Sequence, residues 1–385
     1  MLRFGCVVTM LDEYLSVAIL QLIERGRVLT ASIPRDLPRD YDALRATCKQ
    51  QIDEVIQNLK LLQSFDRDKC GLEQLRMFKR LVTKMDHLET VGIAALNRAS
   101  NDDHYLNAII SKISQEIKYP RLTPIVTTLS QSYFCIYPLL NLLCVPLVEG
   151  RFLSHLPDLY HELAHPFFKE KNDPVLEPFQ ARYMDAVFEV LNHFEEEKSK
   201  AEYRRGPRTL CDLLYTWQRS WVKFWVEEFF CDLYGVYTLG AAFVWSHLHL
   251  SIKRGGDPYE VSFRETSHPC DHARMMIRLH ALHLIGFQDV AQQIQQKWSE
   301  FLNHISAFPE PEYHRCYPTN LMDKLAEYAL EAVKQIQSRI ATPTTQDSIH
   351  TLLNQAWEEF WQNPSTYVNW EKKKIEALLP ECERQ

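Results

Sequence analysis

Apolar positions recur at helical spacing over most of this chain. In "YDALRATCKQQIDEVIQNLKLLQSF" (41–65), Leu44, Cys48, Ile52, Val55, Ile56, Leu59 and Leu62 fall on one face of a helix. Similar spacing at 71–84 and 104–118 makes residues 1–119 an N-terminal helical region. The opening stretch "MLRFGCVVTMLDEYLSVAIL" is apolar, but Asp12 and Glu13 interrupt it and no small-residue cleavage site follows. It reads as the start of a buried helix, not as a signal peptide. The texture changes at 118–150. Pro120, Pro124, Pro138 and Pro146 break helices while β-branched and aromatic residues rise, which predicts short strands near 124–128 and 142–147. Helical spacing then resumes at 156–168 and over 175–204, whose charged far half reads as a solvated face. "GPRT" (206–209) is a break. A long helix runs from about 210 to 240, another starts near 270, and three or so amphipathic helices fill the C-terminal third. The linker "ATPTTQDS" (341–348) carries a helix cap at its end. The expected fold is mainly α, in the α+β sense, with a small sheet. Its regions are 1–119 (helical), 120–289 (central) and 290–385 (helical).

Composition narrows the class. Apolar residues make up 46% and charged residues 24%, values of a folded globular chain. Only 11 glycines occur, which favours helices over turn-rich sheets. The net charge of −7 argues against a broad nucleic-acid surface. Ten cysteines are scattered with no C-x-x-C pair, which fits a reducing, cytoplasmic setting. The apolar runs at 133–148 and 236–246 fall short of the ~20 residues a spanning helix needs, so no membrane span is expected.

The candidate chemistry begins at "LPDLYHELAHPFF" (156–168), which holds His161, Glu162 and His165 in the order H-E-x-x-H. Residues i and i+4 share a helix face, so both imidazoles reach one ion. Zinc accepts histidine nitrogens, and its catalytic sites use three protein ligands with one position left for water. Glu162 lies at the rim of the same face, where a carboxylate takes a proton from the attacking water. A third ligand is expected from "EEFFCDLYG". Glu228 and Asp232 are i and i+4, so Glu228 serves as ligand and Asp232 fixes a histidine tautomer by accepting a hydrogen bond. Glu227, with Cys231 one turn on, is the poorer ligand candidate. The flanking Trp221, Phe224, Trp225, Phe229 and Phe230 place these acids in a very apolar helix, where a carboxylate needs a partner or a metal. In "SHPCDHARMMIRLHAL", His268 could donate a hydrogen bond to a developing oxyanion and Arg274 could brace the acids, with His272 a rival for either role. Cys231 and Cys270 read as small packing residues. His247 and His249 read as partly exposed helix positions.

The series H-E-x-x-H, then E-x-x-x-D some sixty residues later, then H-P-x-x-x-x-R resembles the gluzincin class of zinc peptidases. Its motif order is similar to the branch of prenyl-protein (CAAX) endopeptidases and bacterial heat-shock membrane proteases. The match covers residues 140–285. The resemblance implies a zincin-like core flanked by helical regions. It also implies zinc on His161, His165 and Glu228, Glu162 as general base, Asp232 in the shell behind the ligands and His268 near the oxyanion. Two departures stand out. That branch is embedded in membrane, and the second proline of its last motif is Cys270 here. Such peptidases hold the substrate as an added strand on an edge strand before the H-E-x-x-H helix, and "NLLCVPLVE" (141–149) is placed for that role.

Three functional readings follow. The first is a zinc metalloendopeptidase acting on a protein or peptide, with a regulatory protein partner engaging the helical regions. The second is a zinc hydrolase acting on a different small bond. The third is a helical interaction or scaffold protein with a structural or vestigial zinc site.

Overall fold

The computed structural model describes residues 10–64, 67–98, 101–130, 133–147, 149–170, 172–203 and 208–382. The N-terminal spacing becomes α1 (Met10–Ser32), α2 (Asp42–Ser64), α3 (Arg67–His87), α4 (Ala94–Asn97) and α5 (Asn101–Glu116), with a π-helical turn at Leu88–Ile93. All seven apolar positions picked out in α2 are buried. Residues 1–9 of the opening stretch lie outside the described residues, and the rest of it buries Leu15 and Ile19 from α1.

Three strands follow: β1 (Ile125–Ser130), β2 (Cys135–Tyr137) and β3 (Leu142–Pro146). The first and last were legible in the sequence. Their order is β1-β3-β2, with β1 parallel and β2 antiparallel to β3. The strand at 142–146 is therefore central and not an edge, because both of its sides already carry a partner. Asn141 makes the tight turn into β3 at φ +48°, a left-handed conformation its short polar side chain tolerates. Its side-chain amide donates to the Thr123 carbonyl (3.1 Å) and its own carbonyl accepts from the Ile125 amide (3.0 Å), tying the turn to the start of β1.

Beyond the sheet lie α6 (Asp158–Glu162), α7 (Pro166–Lys169), α8 (Glu177–Tyr203), α9 (Arg208–Ser220), α10 (Val226–Leu239), α11 (Ala241–Arg254) and α12 (Asp271–Leu284). The expected break at 206–209 falls mostly outside the described residues. The C-terminal third holds five helices where three or so were expected: α13 (Gln288–His304), α14 (Pro311–Cys316), α15 (Thr319–Gln335), α16 (Ser348–Gln362) and α17 (Tyr367–Cys382). Short breaks at 305–310, 317–318 and 363–366, the first running up to Pro311 and the second ending at Pro318, divide the pattern more finely than its apolar spacing shows.

Two apolar cores result. One joins α1 to α4 with one face of the sheet, through Leu44, Ile52, Leu88, Leu142 and Cys144. The other runs from α5 to α17. The helices after 290 thus share one core with the central region. At its centre lies α10, which packs against α6, α8, α11, α12 and α15 and is buried nearly throughout. A helix apolar on all sides belongs in the interior. Among the described residues no helix is long and apolar enough to cross a membrane.

Candidate metal centre

The histidine motif is not one regular helix. Regular α-helical bonding ends at Glu162, and Leu163 to His165 form a tighter turn in which the Ala164 amide donates to the His161 carbonyl (3.1 Å). The cause is Pro166, which has no N–H to return to the Glu162 carbonyl. Dihedrals stay right-handed through the turn, at φ −61° for Leu163 and −52° for His165, so the one-turn spacing of the two rings survives.

The facing wall is α10. It is entered through a π-helical turn at Trp221–Trp225, a feature common at functional sites and unreadable from apolar spacing. Of three tryptophans one turn apart, two fix the loop that carries His268 and the third ties to the end of α14. Trp217 Nε1 donates to the Ser262 carbonyl (3.1 Å) and Trp225 Nε1 to that of Thr266 (2.9 Å), while Trp221 Nε1 reaches the Cys316 carbonyl (3.0 Å). Helix α12 then begins at Asp271 with Cys270 as its extended cap, and presents Arg274 and Arg278 toward α10.

These elements bring together His161, His165, Glu228, Asp232, His268 and Arg274, and the Glu162 carboxylate pairs with no side chain among the described residues. The Nε2 atoms of His161 and His165 lie 3.2 Å apart. One Glu228 oxygen is 3.4 Å from His161 Nε2 and the other is 3.9 Å from His165 Nε2. Donors held tetrahedrally about 2.1 Å from one ion lie about 3.4 Å apart, so this spacing suits a single small cation. The Nδ1 side of each ring is held separately. His161 Nδ1 meets Asp232 at 2.8 Å, and His165 Nδ1 meets Glu227 at 3.1 Å. Each ring therefore has a carboxylate on Nδ1 and turns Nε2 toward its neighbour, the arrangement that prepares an imidazole to ligate. Glu228 Oε2 is buried and has no hydrogen-bond partner, which the ligand role would account for.

Behind the site lies a buried ionic group. Arg274 contacts Asp232 with two nitrogens (2.8 and 2.7 Å), and Arg278 contacts it with one (2.5 Å). Burial alone would raise the Asp232 carboxyl, but the two guanidiniums outweigh it and hold it well below its usual range. Burial also opposes charge on His161, yet Asp232 and Glu228 lift it to about 10. Glu228, buried but facing His161, is drawn down to about 2. Without a metal, the two carboxylates therefore favour the charged form of His161.

His268 extends from the loop with its Nε2 3.5 Å from Glu228 and its side chain 59% exposed. A cleft of about 250 Å³ opens beside it, lined by Trp225, Thr266, Asp271 and Tyr317. His272, its rival, is instead taken up by the Tyr313 hydroxyl (2.7 Å) and the Tyr259 ring. His247, expected to be partly exposed, is buried and reaches the Asp271 carbonyl at 2.9 Å, while His249 is half-buried.

Three participants were not assigned these roles from the sequence. The sequence offers Glu227 only as a poorer ligand candidate, and the structure sets it beside His165 Nδ1. Arg278 follows Arg274 by one turn, and that spacing was the available signal. Cys231 was read as packing, yet its sulfur and one nitrogen each of His161 and His165 all lie within 4.8 Å of one another. No family model, curated protein or solved structure matches this chain.

Proposed function

We propose that the chain is a zinc-dependent metallopeptidase of gluzincin type, with His161, His165 and Glu228 as ligands. The observation that carries this is the paired imidazoles, each braced at Nδ1 by its own carboxylate and turned through Nε2 toward Glu228. Zinc bound there supplies Lewis acidity and a more acidic water. Glu162 removes the proton from the attacking water and returns it to the leaving amine. Ser267 Oγ lies 2.9 Å from His268 Nδ1, and a hydroxyl donating there leaves the proton on Nε2, available to the carbonyl oxygen that gains charge. An extended peptide would add to the sheet at β2, the three-residue edge opposite β1, and not at β3. The substrate is then a protein or peptide segment, and no nucleic acid is involved.

A structural zinc site in an interaction protein is the second reading, favoured by Cys231. A fourth protein ligand closes a zinc site against water. The test is Glu162→Gln in zinc-loaded protein with a peptide-library digest. One zinc per chain should remain while cleavage falls by at least 10²-fold, the lower end of what a general base contributes. A wild-type chain that binds zinc and cuts no peptide would support the structural reading instead.

A further inference from the structure

Cys231 sits on α10 one turn beyond Glu227 and Glu228, and it is fully buried. Its sulfur and one nitrogen each of His161 and His165 lie within 4.8 Å of one another. Zinc binds thiolate at about 2.3 Å and imidazole at about 2.1 Å, which places tetrahedral sulfur and nitrogen donors about 3.5 Å apart. The observed limit of 4.8 Å leaves about an ångström to close, within reach of a thiol turning about its single side-chain torsion.

We propose that Cys231 is a fourth protein ligand of the resting site, so that the ion is held by His161, His165, Glu228 and the Cys231 thiolate. This rests on the metal reading given above and adds to it a closed resting state selective for thiolate-accepting ions. On binding, the Cys231 S–H bond breaks, a sulfur–metal bond forms and the proton leaves to water. The sulfur ligand makes the site prefer zinc or cobalt over manganese and magnesium, which take oxygen donors. A peptide or an attacking water gains access only when the thiolate lets go. The thiolate therefore competes with water and peptide for the ion, slowing wild-type turnover without abolishing it.

The test is titration of the metal-stripped, full-length chain with cobalt(II). Wild type should show tetrahedral d–d bands together with a thiolate-to-cobalt charge-transfer band in the near ultraviolet. In Cys231→Ala and Cys231→Ser the charge-transfer band should vanish while cobalt still binds, and preference for zinc over manganese should fall at least tenfold. A missing band in wild type overturns the assignment even if a variant fails to fold, and Cys231→Ser, the conservative replacement, tells Cys231 from the other cysteines. Cobalt bound without the charge-transfer band overturns the Cys231 assignment and leaves the His161, His165 and Glu228 site standing. A band that survives both substitutions assigns the sulfur elsewhere and also overturns it. A chain that binds no cobalt removes the metal reading itself and the Cys231 proposal with it.

Discussion

The two imidazoles of the site are braced by carboxylates of different kinds, and the difference sets what each substitution does. Glu227 divides its two oxygens between His165 Nδ1 (3.1 Å) and Lys169 Nζ (2.8 Å) near the surface. Glu227→Gln should therefore lower zinc affinity by about 10–100-fold, the usual effect of losing a carboxylate behind a ligand, and leave the melting temperature nearly unchanged. A competition titration with a chelator checks this, and unaltered affinity would remove Glu227 from its role. Asp232 is fully buried against two guanidiniums. Asp232→Ala leaves both cations buried without their anion, so it should cost about 3–5 kcal/mol of stability as well as affinity, read from urea unfolding of the metal-stripped chain. Residue types and one-turn spacing made His161, His165, Glu228, Asp232 and Arg274 legible in the sequence. Glu227 and Arg278 escaped because spacing along one helix does not say which side chain of a second helix it meets.

At the scale of elements, the junction of α10 and α11 admits no side chain without strain. Gly240 joins them at φ +79°, ψ −138°, a region open essentially to glycine alone, and a Cβ there would lie 2.9 Å from the Phe287 ring. Gly240→Ala should cost about 1–3 kcal/mol, the usual range for such backbone strain, and its urea midpoint should fall accordingly. An unshifted midpoint would mean that the turn relaxes freely. Long amphipathic helices such as α2 and α8 were readable because their apolar period repeats over many residues. The three-residue β2, the central place of β3 and the π turn before α10 were not. Strand order depends on pairing between distant segments, and a single extra residue in a helical turn leaves the local pattern almost unchanged.

For the whole molecule, one core from α5 to α17 ties the site's stability to buried histidines outside it. Burial pushes His272 down to about 4, with His314 adding to the effect. An unfolded histidine titrates near 6.5. Because the folded value is the lower one, the unfolded chain takes up the proton first. The contribution is complete above about pH 6.5 and is lost as pH falls toward 4, by up to about 3 kcal/mol. Urea midpoints of the metal-stripped chain should therefore drop between pH 7 and pH 5, and His272→Gln should reduce that drop. An equal drop in the variant would assign it to other groups. The mainly α architecture could be anticipated from patterning alone, whereas the sharing of one core by the central and C-terminal helices could not, since apolar faces do not name their partners. The central claim is that one cation sits among His161, His165 and Glu228. The most direct measurement is anomalous X-ray scattering at the zinc edge from crystals of the zinc-loaded chain. The account predicts a single peak about 2.0–2.1 Å from both Nε2 atoms and from a Glu228 oxygen. A peak elsewhere, or none with zinc in excess, would contradict it.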